Sequence, residues 1–247
     1  MIELLLIGIG TGNPDHITRQ AEKAIASADW IMIPTKGDNK ADLADLRHDI
    51  CAQIAGVDLS RILEFELPVR DPAIPYVDRV HHWHDAIADV WQETIQGNIK
   101  TGKVALLIWG DPSLYDSSLR IASRLNPAPK ITVLPGLTSL QVLTAAHAIP
   151  INELAHPFVV TTGRQLRDNG WPTGMDTVAV MLDGECSFQS LENQNCQIYW
   201  GAYVGMKEEI LIQGPLDQVT EQIVEMRAKA RENHGWIMDI YVLKLLS

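Results

Sequence analysis

An α/β chain in two domains, a mostly parallel sheet followed by a mixed one, is what the sequence predicts, and three observations predict it. Continuously apolar runs alternate with amphipathic stretches of helical period over the first 150 residues. That alternation marks strands buried on both faces between helices. Three of the runs, 4–9, 104–109 and 131–134, stop at glycine or proline turns. Beyond a turn-rich stretch at 148–157, which holds Pro150 and Pro157, strands come at hairpin-like spacing with fewer helices between them. The expected division is 1–150 for an N-terminal α/β domain and 151–247 for a C-terminal α/β domain of mixed sheet.

Taken in order, 4–9 is a buried strand, 18–28 a helix and 30–33 a strand stopped by Pro34. A helix over 40–55 and a short strand at 62–65 follow. From 76 to 99, Tyr76, Val80, Trp83, Ile87, Val90, Trp91 and Ile95 recur on one helical face. Gly102 breaks the chain before the strand 104–109; 118–125 and 137–147 read as helices around the strand 131–134. The second half offers strands at 158–161, 177–182, 197–202, 209–212 and 237–243, with helices at 187–194 and 216–232.

The 247 residues hold 20 Lys plus Arg against 31 Asp plus Glu, a net charge of −11. This balance argues against a general nucleic-acid binder, which needs a cationic surface. It leaves room for a locally basic pocket and an anionic small molecule. Cys51, Cys186 and Cys196 have no C-x-x-C spacing, which predicts a reducing compartment rather than a disulfide framework. The start at Met1-Ile2-Glu3 lacks the basic residues of a signal peptide, so a cytoplasmic protein is expected. No apolar run is long enough for a membrane span.

The chemistry-bearing motifs sit at strand ends. Gly8, Gly10 and Gly12 precede Asn13-Pro14. A dinucleotide fingerprint needs G-x-G-x-x-G and an acidic residue after the second strand, and neither is present. The glycines are a ligand loop or simply a tight turn. Gly97 to Lys103 fits G-x-x-x-x-G-K, but Val104 replaces the magnesium-binding hydroxyl and a strand follows instead of preceding, so it reads as a helix end. Gly110-Asp111-Pro112-Ser113-Leu114-Tyr115 follows the strand 104–109; Asp111 either caps the next helix or serves a ligand. Thr138 and Ser139, after Pro135-Gly136, divide between helix capping and ligand contact in the same way. His81 and His84 stand three apart, but no third ligand is near, so no metal is expected. Arg164 and Arg167 form a basic cluster after a strand, either a carboxylate-binding spot or a solvated loop. No G-x-S-x-G elbow or H-E-x-x-H motif supports hydrolase or metalloenzyme chemistry.

Together and in this order, the glycine turn, the G-D-P-x-x-Y loop and the P-G-x-[ST]-S loop resemble the tetrapyrrole (corrin/porphyrin) methylase family, and the likeness runs the full length of the chain. It continues through Thr161 to Arg164, Val180 to Gly184, Trp200 to Gly205 and Gly235 to Asp239. Departures are small: Thr138 stands where many relatives have Ser, and Thr11 sits within the glycine turn.

The resemblance implies the two-domain tetrapyrrole methylase fold with the cofactor, S-adenosyl-L-methionine, in the interdomain cleft, and a homodimer. It implies methyl transfer to ring carbon one of precorrin-5 with loss of acetate, in the aerobic cobalamin pathway. Alternatives are another ring position, an RNA or protein substrate, or a non-catalytic tetrapyrrole- or cofactor-binding module. Carried over residue by residue, the cofactor contacts are Pro14, Gly110, Asp111, Pro112, Leu114, Thr138, Ser139, Met181, Leu182, Ala202, Tyr203, Ile237 and Met238. Gly10, Gly12, His84, Arg164 and Arg167 are expected at the substrate, with Arg70 or Arg120 as further cations. Asp111 and Tyr115 are the catalytic candidates; His16 and His84 are others for the base that releases acetate.

Overall fold

The computed structural model describes residues 1–35, 41–71, 73, 75–191 and 194–246. The chain divides into two compact units, Met1–Thr138 and Ser139–Ser247.

The first unit is a five-stranded parallel sheet in the order β3-β2-β4-β1-β5. Its strands are β1 (Ile2–Gly8), β2 (Trp30–Thr35), β3 (Ile62–Glu66), β4 (Gly102–Ile108) and β5 (Lys130–Leu134). Leu4 to Ile7 and Val104 to Ile108 are buried, as a sheet covered on both faces requires. Helices α1 (Arg19–Ser27) and α2 (Ala41–Gln53) cover one face through Ala21, Ile25, Ala44, Ile50 and Cys51. Helices α3 (Tyr76–Asn98) and α4 (Ser118–Ala122) cover the other through Ile87, Trp91, Ile95 and Ile121. The predicted helix over 40–55 opens on a residue outside the described ones.

Connections leaving β1 and β2 therefore run over one face, and those flanking β4 run over the other. The carboxyl end of β4 lies between the strands where the chain changes face, the position at which open α/β sheets bind ligands.

The expectation that Pro34 ends its strand is corrected: β2 continues to Thr35, with Pro34 opposite Phe65 of β3. Thr35 turns its carbonyl to Leu67 on the β3 side, so Pro34 faces the β4 side by the alternation of a parallel strand. There the β2–β4 ladder has already stopped, at Met32 opposite Leu106. A proline fits where no ladder donor is required.

The second unit is a mixed sheet in the order β6-β7-β10-β8-β9. Its strands are β6 (Val159–Thr162), β7 (Thr177–Met181), β8 (Cys196–Ala202), β9 (Ile210–Pro215) and β10 (Asp239–Leu245); only β6 and β7 pair in parallel. Helices α6 (Gly163–Asn169) and α7 (Leu216–His234) pack on one face through Leu166, Leu216, Ile223 and Ala230. Helix α5 (Ser139–Ala146) packs on the other through Leu140, Val142 and Leu143, against Ala179, Ile240 and Val242. The units therefore part at Thr138/Ser139, ahead of the turn-rich stretch that the sequence offers, because the apolar face of α5 is buried on β8 and β10.

Two local readings change. The segment with Arg164 and Arg167 is helix α6, not a loop, started by Thr162, whose hydroxyl accepts from the Gln165 amide at 3.4 Å. The predicted helix 187–194 is a 3-10 turn over Ser187–Leu191, its last part reaching residues outside the described ones.

Candidate functional site

In the first unit, β4, β1 and β5 are neighbours, so the three motifs that follow them meet at one end of the sheet. The contact is through backbone. Gly10 and Gly110 bond to each other, the Gly110 amide donating to the Gly10 carbonyl at 2.7 Å and the Gly10 amide returning at 3.4 Å. Gly8, Gly110 and Gly136 then touch: a Cβ on Gly8 would lie 2.6 Å from the Gly136 nitrogen, and one on Gly136 only 2.2 Å from the Gly110 oxygen. Gly10, Gly12 and Gly110 have φ of +74°, +108° and +65°, which side chains resist.

Asp111 locks this crossing. Its Oδ2 accepts from the Gly136 amide at 2.9 Å, and its Oδ1 accepts from the amide and hydroxyl of Ser113. Burial raises the Asp111 pKa, but these hydrogen bonds outweigh it and leave the carboxyl below its ordinary value. Between the readings of cap and ligand group, the geometry favours a third: a bracket from the β4 loop to the β5 loop. Tyr115, in the same loop, has φ +51° and is 43 % exposed; burial of its ring raises the phenol pKa, so it stays protonated at neutral pH.

Pro14 opens a 3-10 turn over Pro14–His16, capped by Asn13. Beside it, Thr11 Oγ1 and His16 Nδ1 are sealed from solvent and have no hydrogen-bond partner among the described residues. Pro112 is buried, Leu114 half-buried, and Thr138 buried at the end of the unit.

His84 stands apart from these loops in contact terms. It is 4 % exposed on the inner face of α3, its Nδ1 is sealed with no partner among the described residues, and its ring lies 6.0 Å from Trp83. Burial and then the charges of Arg124, Arg120, His81 and Arg70 push its pKa down. Arg70 stacks over Trp83 at 3.9 Å, and Arg120 donates to the Asp116 carbonyl at 3.0 Å.

In the second unit, β10 runs antiparallel to both β7 and β8, pairing Tyr241 with Val180 and Asp239 with Ala202. The ends of β7 and β8 and the start of β10 thus share one sheet end, and Met181, Leu182, Ala202, Tyr203, Ile237 and Met238 come together there. Leu182 has φ +54° and is 67 % exposed, an apolar side chain held out beside Met181. Ser139 lies on the other side of the sheet, at the start of α5.

Tyr203, with φ +50°, donates its amide to Met238 at 2.9 Å and its hydroxyl to the Trp236 carbonyl at 2.5 Å. Burial, with the nearby Asp239 charge, pushes that phenol up to about 12, so its role is to pin the segment before β10.

The sequence signalled Asp183 only as part of a motif, yet it organises this end. It accepts from the Tyr241 hydroxyl at 2.7 Å and from the Ser187 amide at 2.6 Å, and Gly163 packs directly on it. Arg227 joins by donating to the Asp183 carbonyl at 3.1 Å and pairing with Asp239 at 2.9 Å. Arg164 and Arg167 lie on the exposed side of α6 beside this end, and Arg167 is paired with Asp168 and Glu185. Among the described residues no group of three or more His, Cys, Asp or Glu is placed to hold a metal.

Residues 3–220 match the family profile of the Tetrapyrrole (Corrin/Porphyrin) Methylases. The chain belongs to the tetrapyrrole methylase family. As a tetrapyrrole methylase it is 45 % identical over 250 residues to precorrin-6A synthase [deacetylating] from Sinorhizobium sp, covering 99 % of this chain and 95 % of the relative. Among solved structures it is similar to a cobalamin synthesis related protein (CobF) from Corynebacterium diphtheriae, at 34 % identity and TM-score 0.85 over 100 % of both chains. A uroporphyrin-III C-methyl transferase from Thermus thermophilus, complexed with S-adenosyl homocysteine, shares the fold at 17 % identity and TM-score 0.60, over 98 % of this chain and 92 % of that one. The α/β architecture with one parallel and one mixed sheet is thus the family's fold.

Proposed function

We propose that this tetrapyrrole methylase is an S-adenosylmethionine-dependent C-methyltransferase that methylates ring carbon one of precorrin-5 and releases acetate, giving precorrin-6A. The observation that carries the reading is the full-length 45 % identity to the Sinorhizobium enzyme of that name.

The residues fit the cofactor. Adenine needs apolar surface with backbone polar groups beside it, and Leu182, Tyr203, Ile237 and Met238 lie just beyond the ladder at one sheet end, next to Met181 and Ala202 at its last rungs. In the first unit the proposed contacts are Pro14, Gly110, Asp111, Pro112, Leu114 and Thr138, and in the second Ser139, at the start of α5, is a further one. When bound, S-adenosylmethionine supplies a methyl group already activated on a sulfonium. The protein's part is orientation, which can contribute ~7–11 kcal/mol. The side-chain-free crossing of Gly8, Gly110 and Gly136 supports that part, because it brings carbonyl-bearing backbone close and holds it rigidly.

Acetate release needs a nucleophile delivered to the acetyl carbonyl, a task worth ~10²–10⁴-fold to a placed acid or base. Asp111, with both oxygens engaged and its pKa lowered, is suited to holding the loops rather than taking a proton. Tyr115, kept protonated, is suited to donating a hydrogen bond to that carbonyl. Gly10, Gly12, Arg164 and Arg167 are the proposed substrate contacts; burial of His84 supports a packing role for it. The family resemblance supports a homodimer, and three buried free cysteines support a reducing, cytoplasmic setting.

Incubation with precorrin-5 and methyl-labelled S-adenosylmethionine tests the reading. Labelled precorrin-6A and one equivalent of acetate are expected. Methylated product without acetate, or methylation at another ring position, would overturn it.

A further inference from the structure

Arg47, on α2, is buried at 8 % exposure, yet among the described residues it makes no ion pair. Its Nε donates to the Leu107 carbonyl at 3.1 Å and its Nη1 to the Leu43 carbonyl at 3.0 Å. Its guanidinium carbon lies 4.7 Å over the Trp109 ring. Nη2 has no hydrogen bond among the described residues and is not one of the sealed atoms, so it retains open surface. Burial lowers the Arg47 pKa to about 10, against the favourable charge of Asp116, which leaves it cationic at neutral pH.

Pro34 explains why it is there. Leu107 turns its carbonyl toward β2, because Ile108 turns its own toward β1, where the Ile9 amide takes it at 2.9 Å. Continuing the register from Met32 opposite Leu106, the donor owed to Leu107 is the amide of residue 34. Proline has none. The two strands separate at that point, and Arg47 supplies the missing donor with one nitrogen while keeping another for something else. A buried cation with an unspent donor, at the end of β4 where the chain changes face, is a receptor for an anion.

We propose that Arg47 binds a peripheral carboxylate of the tetrapyrrole substrate through Nη2, and that Pro34 exists to open the gap in which it does so. The inference rests on the substrate class proposed above. It adds a contact that no sequence motif separates from the other helix arginines.

The test is steady-state kinetics with precorrin-5 and labelled S-adenosylmethionine on R47Q, R47K and the double variant P34A/R47Q. In the double variant the alanine substitution restores a backbone donor for Leu107 without restoring the cation. R47Q is expected to raise KM for precorrin-5 by about 10- to 100-fold, the loss of one charged hydrogen bond, with KM for the cofactor within about twofold of wild type by the same reasoning. R47K should recover part of this. P34A/R47Q should regain thermal stability but not the KM. A KM for precorrin-5 that is unchanged in R47Q, or fully restored in P34A/R47Q, would overturn the proposal and leave Arg47 as a strand-gap filler. If neither Gln variant folds, the side-chain NMR signals of Arg47 in the wild type decide, assigned with R47K: they must shift on adding precorrin-5, and no shift refutes the contact. Wild-type protein inert toward precorrin-5 would instead count against the functional reading itself.

Discussion

Replacing Gly136 by alanine adds one methyl group where three backbone segments already touch. Its Cβ would lie 2.2 Å from the Gly110 oxygen, 2.7 Å from the Gly8 carbonyl carbon and 2.8 Å from the Gly8 Cα. No flexible side chain stands among these neighbours, so relief must come from the loops themselves. A carbon rarely approaches a carbonyl oxygen closer than about 3.3 Å, so the β4 and β5 loops have to part by about 1 Å. Overpacking of this kind costs ~1–3 kcal/mol. The movement also strains the bond from the Gly136 amide to Asp111, 2.9 Å long, and a hydrogen bond to a charged group is worth ~1.5–3 kcal/mol. The expected destabilisation is thus ~2.5–6 kcal/mol, a large part of the ~5–15 kcal/mol typical of a folded domain. Urea titration followed by tryptophan fluorescence reads this as a lowered midpoint, and calorimetry with S-adenosylhomocysteine should show weakened or absent binding. Gly97→Ala is the matched control, because nothing lies within 4 Å of its Cβ and it sits in the last turn of α3. There the same methyl should stabilise by up to ~1 kcal/mol. Equal midpoints for the two variants would refute the argument that backbone contact dictates glycine at 136.

Asp111→Ala should weaken S-adenosylhomocysteine binding about tenfold or more by releasing Ser113 and the Gly136 amide; D111N, which keeps one acceptor oxygen and sets an amide NH2 against the other donor, should lose a comparable amount, and unchanged binding in both variants would refute the bracket. The pKa of His84 is held below its ordinary 6.5, so its contribution to stability is full above pH 6.5 and is lost as pH falls through the lowered value. H84Q should flatten that acid limb of the urea midpoint, and an unchanged limb would refute it. Arg227→Met leaves Asp239 buried and unpaired, which should cost ~3–5 kcal/mol by denaturation, with Asp239→Asn in the same chain recovering part of it. Arg167→Ala removes only exposed pairs with Asp168 and Glu185 and should cost less than ~1 kcal/mol; a rise in KM for precorrin-5 would support its proposed substrate role.

The strands of the first unit were legible because parallel strands buried on both faces are continuous apolar runs, and the three motifs were legible because each interrupts such a run. What brings them together was not. Whether the loops after Gly8, Ile108 and Leu134 meet depends on strand order, and order is set by which helix covers which face rather than by any local pattern. Pro34 misled for a related reason: proline forbids a ladder bond on one side of a strand only, and the sequence does not say that this side is unpaired. Arg47 sits one helical turn from Leu43 among ordinary helix residues, and only tertiary structure separates it from them. Helix α6 is short, and the apolar contact that fixes it is the single buried Leu166, too little for a periodicity to register.

The pairing of Gly10 with Gly110 also sets a schedule. β1 lies between β4 and β5 and bonds to neither until about a hundred further residues have been made. At ~5–20 residues per second, that is a wait of about 5–20 s on the ribosome. Throughout it, the apolar strand Leu4 to Ile7 has two open edges and no sheet to enter, the state in which strands aggregate. The turns after β1, β4 and β5 take up their shared contacts only when the last strand of the first sheet closes beside them, so the glycine crossing and the sheet are completed together.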